Sequence, residues 1–282
     1  MKRFLFLSLL LPLLAPALPA QSLLWKIEGK ELSAPSYLFG TIHALCREEV
    51  VLSDAVIAAV DTCAQVALEL DLDDPALIVE MGHISFMPND STLRDLFSEE
   101  DFTRLDAWLR DSVGMALEPM KQMRPMFLFG VLIGKVLGCK PTSYEEIFMA
   151  MAARQGKELI GIETPAEQLD AFSSIPMKKQ ADMVLEMVDH MDSTRVEFRR
   201  LAALYAAGDL EGLRAFVENS TVEYGRYDAA LLRDRNHRWI PRITRQLRRM
   251  STFFAVGAGH LPGKDGLITL LREKGYRVTP VR

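Results

Sequence analysis

Two stretches of this chain close an apolar run with a glycine and place a histidine three residues later. They are Gly40-Thr41-Ile42-His43 in "YLFGTIHALC" and Gly257-Ala258-Gly259-His260 in "FFAVGAGHLPG", the histidines 217 positions apart. Histidine titrates near neutral pH and is the commonest side-chain ligand for a transition metal. Glycine at the end of a strand permits a sharp turn and close backbone approach, so the imidazole that follows can point over a sheet edge. A third apolar run, "QVALEL", ends on Glu69, a carboxylate that is costly to bury without a cation beside it. Two neutral imidazoles and a carboxylate make a ligand set for a divalent metal with one position left for water. Such a metal lowers the pKa of its water and polarises a carbonyl, which is the chemistry of hydrolysis. The plain alternative is that each histidine caps a turn while Glu69 pairs with an arginine.

Other groups stand in reserve. Glu163 in "GIETPAEQ" follows a strand end as Glu69 does, and is a further ligand or acid/base candidate. "RDRNHRW" is dense in donors, and its Arg235 and Asn236 can reach an anionic substrate group or orient a carboxylate. His83, His190 and His237 fall in helical stretches and read as ordinary imidazoles.

The elements that must carry these residues follow from pattern. "WKIE" (25–28) and "SYLFG" (36–40) read as strands around a Ser-Ala-Pro turn. A helix capped by Ser53 leads into the buried strand "QVALEL", so a parallel pair is expected. From about 74 to 249 the periodicity is mostly helical, with Ser98, Ser143 and Thr164 as caps and one short strand, "KELIG" (157–161). "RPMFLFGVLIGKVLG" is too short to cross a bilayer and reads as a buried helix. The chain closes with "STFFAVG" as strand, "KDGLITLLREKG" as helix and "YRVTPV" as strand. The expected fold is α/β, with a central mixed or mostly parallel sheet from two strand–helix–strand units and a large helical insertion over about 74–249.

Residues 1–20 look like a cleavable signal peptide: Lys2 and Arg3, an apolar core from Phe4 to Leu14, then "APALPA" with a cut after Ala20, or as second choice after Ala17. Residues 21–282 would then be one domain, periplasmic or secreted, with no transmembrane segment. The whole chain carries a net charge of −5, and losing Lys2 and Arg3 makes it more negative. That argues against nucleic acid as a partner. Three cysteines suit an oxidising compartment, with Cys46 and Cys139, both in loops, as the candidate disulfide and Cys63 as a small core residue.

Taken in order, "YLFGTIHALC", "VALELD", "TSYEEIF", "GIETPAEQ", "RDRNHRW" and "VGAGHLPGKDGLITLLREKGYRV" resemble the TraB/PrgY/GumN family, GumN branch, over nearly the whole of residues 21–282. The resemblance implies two related β/α halves with extra helices, as in the erythromycin-esterase and ChaN-like group. It also implies kinship with the Tiki proteins, animal membrane-tethered metalloproteases dependent on manganese or cobalt. On that resemblance His43, His260 and Glu69 are the metal ligands, the metal being Mn, Co or Zn, while Glu69, Glu163, Arg235 and Asn236 are the catalytic candidates. A peptidase is the leading expectation. A non-catalytic binding protein for a peptide, a polysaccharide precursor or haem, and a structural partner of an envelope complex, are the rivals.

Overall fold

A computed structural model describes residues 22–29, 32–219 and 224–281. The expected signal peptide lies outside the described residues, as does most of the helix break expected between Ser220 and Gly225. The strands are β1 (Leu24–Glu28), β2 (Ser36–Thr41), β3 (Leu45–Cys46), β4 (Gln65–Leu68), β5 (Pro141–Thr142), β6 (Glu158–Gly161), β7 (Thr252–Gly257) and β8 (Arg277–Pro280). Six of them form one sheet in the order β6-β4-β7-β2-β1-β8, and β3 pairs with β5 in a small second ladder. β6, β4, β7 and β2 run parallel, while β1 is antiparallel to both its neighbours.

β2 and β4 therefore point the same way, but they are not a pair. β7, from the far end of the chain, lies between them. Every residue of "TFFAVG" is buried, and a strand that apolar on both faces belongs in the centre of a sheet covered on both sides. β8 does not extend the sheet beside β7; it crosses to the far edge and pairs antiparallel with β1. β6 joins as the opposite edge strand, so the long helical stretch is interrupted by an element of the main sheet.

The helices begin where side chains can satisfy their free N–H groups. Ser53, Ser98, Ser143 and Thr164 accept from the backbones of Val56, Asp101, Glu146 and Glu167. Helix Tyr144–Arg154 sets Phe148 against Phe39 and Phe253, with ring centroids 5.4 and 4.9 Å apart. A separate apolar cluster joins helices Glu99–Val113, Pro125–Leu137 and Met177–Asp189 through Leu105, Leu109, Leu128, Leu132 and Val184. Helix Pro125–Leu137 is apolar nearly all round, yet it buries only the stripe of Leu128, Leu132 and Val136 behind Pro125.

Candidate active site

The four parallel strands bring their carboxyl ends to one edge, where ligands of open α/β sheets gather. Along that edge, in strand order, stand Glu163 after β6, Glu69 after β4, His260 after β7 and His43 after β2. Glu163 and Glu69 are side by side because the ladder continues past the strands: Glu163 N–H donates to the carbonyl of Glu69 at 2.9 Å. Helix Asp234–Arg249 lies over them and supplies Arg235, Asn236 and Trp239, all buried.

The motif glycines have separate tasks. A Cβ on Gly40 would stand 3.1 Å from the Cα of Ala258, so this glycine lets β2 pack against the turn carrying His260. A Cβ on Gly257 would stand 3.2 Å from His43 Nε2, 3.4 Å from Glu69 Oε1 and 3.6 Å from His260 Cδ2. Gly257 is thus the floor on which the three candidate ligands meet. The two motifs are one residue out of step, since Thr41, not Gly40, pairs with Gly257.

His260 is 3% exposed and packs on the Trp239 ring, centroids 4.3 Å apart. Its Nδ1 lies 2.7 Å from Asn236 Oδ1, and Arg235 Nη1 lies 3.1 Å from its Nε2. Arginine only donates, so Nε2 is the accepting nitrogen and Nδ1 carries the proton. Asn236 is itself oriented by donating to the carbonyls of His260 and Asp265. Burial holds the His260 pKa down at about 3, so the ring is neutral.

His43 sits at the mouth, with 66% of its side chain exposed, and its Nδ1 lies 2.9 Å from Glu145 Oε1. Thr41 Oγ1 donates to the same oxygen at 2.6 Å, while the buried Oε2 of Glu145 has no hydrogen-bond partner. Desolvation opposes charge on His43, but the Glu145 and Glu69 carboxylates outweigh it and raise its pKa to about 9. Both histidines thus have Nδ1 committed to a side-chain oxygen and Nε2 directed inward, the orientation that metal-binding imidazoles take from their outer partners, and His260 also holds the accepting tautomer.

Arg235 spends every N–H. It donates to Glu163 at 2.5 and 3.2 Å, to Glu69 Oε2 at 2.6 Å, to the Leu231 carbonyl at 3.0 Å and to His260. Glu163 also accepts from Trp239 Nε1 and from Gln168, which reaches Glu69 as well. Glu69 Oε1 accepts from Gly257 N–H at 2.8 Å. Burial works against the charge on Glu69, but Arg235 above all holds its pKa near 2. A π-helical turn, Ala229–Arg233, leads directly into the helix that carries Arg235, a local widening often found at functional sites.

A model of the TraB/PrgY/gumN family matches residues 23–280. The chain belongs to the TraB/PrgY/gumN family. Among its relatives are "Metalloprotease TIKI2" of Danio rerio, 26% identical across 91% of this chain, and "Metalloprotease TIKI1" of Danio rerio, 22% identical across 93%. "Metalloprotease TIKI homolog" of Amphimedon queenslandica is 22% identical across 91% of this chain. The chain spans 60, 64 and 61% of those relatives' own lengths. No solved structure matches it. The mostly parallel sheet flanked by helices agrees with a Tiki-like α/β fold.

The structure brings His43, Glu69, Glu163, Arg235, Asn236 and His260 to one place and leaves His83 and His190 elsewhere; His237 pairs with Asp265 at 3.0 Å. The disulfide joins Cys46 to Cys139, and Cys63 is a free, buried thiol pushed up to about 12 by desolvation. Glu145, Gln168, Thr41 and Trp239 escaped the sequence reading. Glu145 passes for an ordinary acid in a helix's first turn, although it shares a face with buried Phe148 and Ala152 at i+3 and i+7, a signal open to inspection. Among the described residues no three His, Cys, Asp or Glu side chains already stand in a metal-ligating arrangement, and no helix is long and apolar enough to cross a membrane.

Proposed function

We propose that this protein is an exported, metal-dependent hydrolase acting on peptide bonds, with His43, Glu69 and His260 as the metal ligands. The observation that carries this reading is the meeting of three donor groups over Gly257, each histidine held by an outer partner at Nδ1. The residues fit a divalent metal in donor type and in their convergence on Gly257. They need two local changes: Arg235 must release the Nε2 of His260, and His43, whose pKa its carboxylate neighbours raise, must give up a proton. When bound, a divalent metal supplies Lewis acidity and a water of lowered pKa.

The chain's own groups do the rest. Asn236 keeps the His260 lone pair inward, and Glu145 turns the Nε2 of His43 the same way while offering an acceptor oxygen with no partner. Glu163, expected as an acid/base group, accepts four hydrogen bonds and serves here to fix Arg235 and Trp239. A cavity of about 570 Å³ lined by Phe39, Ile42, Leu45, Val56, Tyr144 and Tyr205 adjoins the neighbours of His43 and Glu145, and suits an apolar substrate side chain. Export is supported by the signal-like N-terminus and by the Cys46–Cys139 disulfide, which persists in oxidising compartments. The haem-binding alternative gains nothing from a His260 that is 3% exposed and packed at a tilt against Trp239.

The test is metal content and Mn²⁺, Co²⁺ and Zn²⁺ affinity of the purified protein beside His43→Ala and His260→Ala. Both variants should lose bound metal and peptide hydrolysis, and His43→Ala, made at an exposed position, should still fold, its thermal midpoint lowered only by the loss of the Glu145 pair. Full metal occupancy in both variants would exclude this ligand set.

A further inference from the structure

We infer that Arg235 is an internal cation that holds the site together without metal and competes directly with the metal for His260 and Glu69. The inference rests on the ligand set proposed above. The Nε2 of a neutral imidazole has one lone pair, and Arg235 Nη1 occupies it at 3.1 Å. A metal on His260 must use that same pair, so the two states exclude each other. On Glu69 the competition is electrostatic, since Arg235 Nη2 stands 2.6 Å from Oε2.

Burial makes a cation obligatory. The side chains of Glu69 and Glu163 are 8 and 1% exposed, and Arg235 is 6% exposed between them. Two buried carboxylates with no cation would destabilise the fold strongly. Arg235 therefore supplies in the metal-free protein the positive charge that the site requires. It can yield without leaving, because Nε and Nη2 stay paired with Glu163 while only the contacts to His260 and Glu69 open. Gln168 bridges Glu163 and Glu69 and is placed to cover the acceptors during that exchange. Arg235 is thus a positioning residue that sets the metal threshold of the site.

Mn²⁺ titration by calorimetry tests this on the wild-type protein, His43→Ala, Arg235→Lys, Arg235→Met and Arg235→Lys/His43→Ala. Lysine keeps a cation beside the carboxylates but cannot reproduce the guanidinium fork. Arg235→Lys should therefore fold and bind Mn²⁺ on the order of 10- to 100-fold more tightly than wild type, the equivalent of one competing charge-assisted hydrogen bond removed, and the added His43→Ala should abolish the gain. Melting curves give a second readout that does not involve activity. Arg235→Met should melt well below wild type without metal, or fail to fold, and Mn²⁺ should restore it. Equal Mn²⁺ affinity in wild type and Arg235→Lys, with binding lost in His43→Ala, would overturn the competition and leave the ligand set standing. Weaker binding by Arg235→Lys would also overturn it. Mn²⁺ binding by neither protein would overturn both the ligand set and this inference.

Discussion

At the scale of single residues, the site depends on small differences between chemically similar groups. His43 and His260 share a motif, but one is exposed beside a carboxylate and the other is buried beside a guanidinium. Their charges at neutral pH therefore differ, with His43 protonated in the metal-free protein and His260 neutral. Gly257 offers a sharp test of what the motif glycine does. Its φ is −49°, a value alanine accepts without strain, so Gly257→Ala acts only through crowding of His43 and Glu69. The expected result is a loss of about 1–3 kcal/mol of stability together with metal binding weakened far more than that loss explains. Calorimetric titration beside a denaturant melt checks it, and unchanged metal affinity would remove Gly257 from the floor of the site.

At the scale of elements, two devices hold the site from outside. The first is the clamp on His43. Cys46 lies three residues after it, Cys139 lies six before Glu145, and β3 pairs with β5 through Leu45 and Thr142. The disulfide closes a span of 93 residues, and on the chain-entropy account its removal costs about 2–5 kcal/mol. Cys46→Ser/Cys139→Ser should show that loss in chemical denaturation. It should also lower the hydrolysis proposed above by loosening the His43–Glu145 contact, with the His260 end of the site intact. Full activity in the double variant would separate the clamp from the site. The second device is helix Asp234–Arg249, whose first two turns bring Arg235, Asn236 and Trp239 to the edge of the sheet. Spacing i to i+4 puts Arg235 and Trp239 on one face, and the guanidinium lies 4.7 Å from the indole ring.

At the scale of the whole molecule, buried charge sets the response to pH. The folded-state pKa of Glu69 is depressed to about 2, so its contribution is present above the ordinary carboxylate range and is lost as pH falls towards 2. His260, held neutral with a pKa near 3, disfavours the folded state increasingly as pH falls below 6.5, because only the unfolded chain takes up the proton. His43 has the opposite sign. Its pKa is raised to about 9, so its contribution is full below 6.5 and is lost as pH rises through 9. The thermal midpoint of metal-free protein should therefore peak near pH 6.5 and fall on both sides. The alkaline limb should be the shallower, since solvent screens the exposed His43. His43→Gln should flatten the alkaline limb and leave the acid limb intact; an unchanged alkaline limb would show that the His43–Glu145 pair does not contribute.

Local signals were enough for the pieces of this molecule. Serine and threonine caps, the apolar strands, the strand-end glycines, both histidines and Glu69 were legible because each depends on residues within a few positions of itself. The family resemblance rested on the same motifs, taken in order. What the sequence left open was adjacency. No local feature says that β7 enters between β2 and β4, yet that order sets His43, His260, Glu69 and Glu163 in a row. Nor does any local feature reveal that Arg235 fills the space among them, or that Glu145, 102 positions from His43, is its partner. Those contacts join distant parts of the chain and are selected by burial and charge balance, so only the tertiary structure decided them.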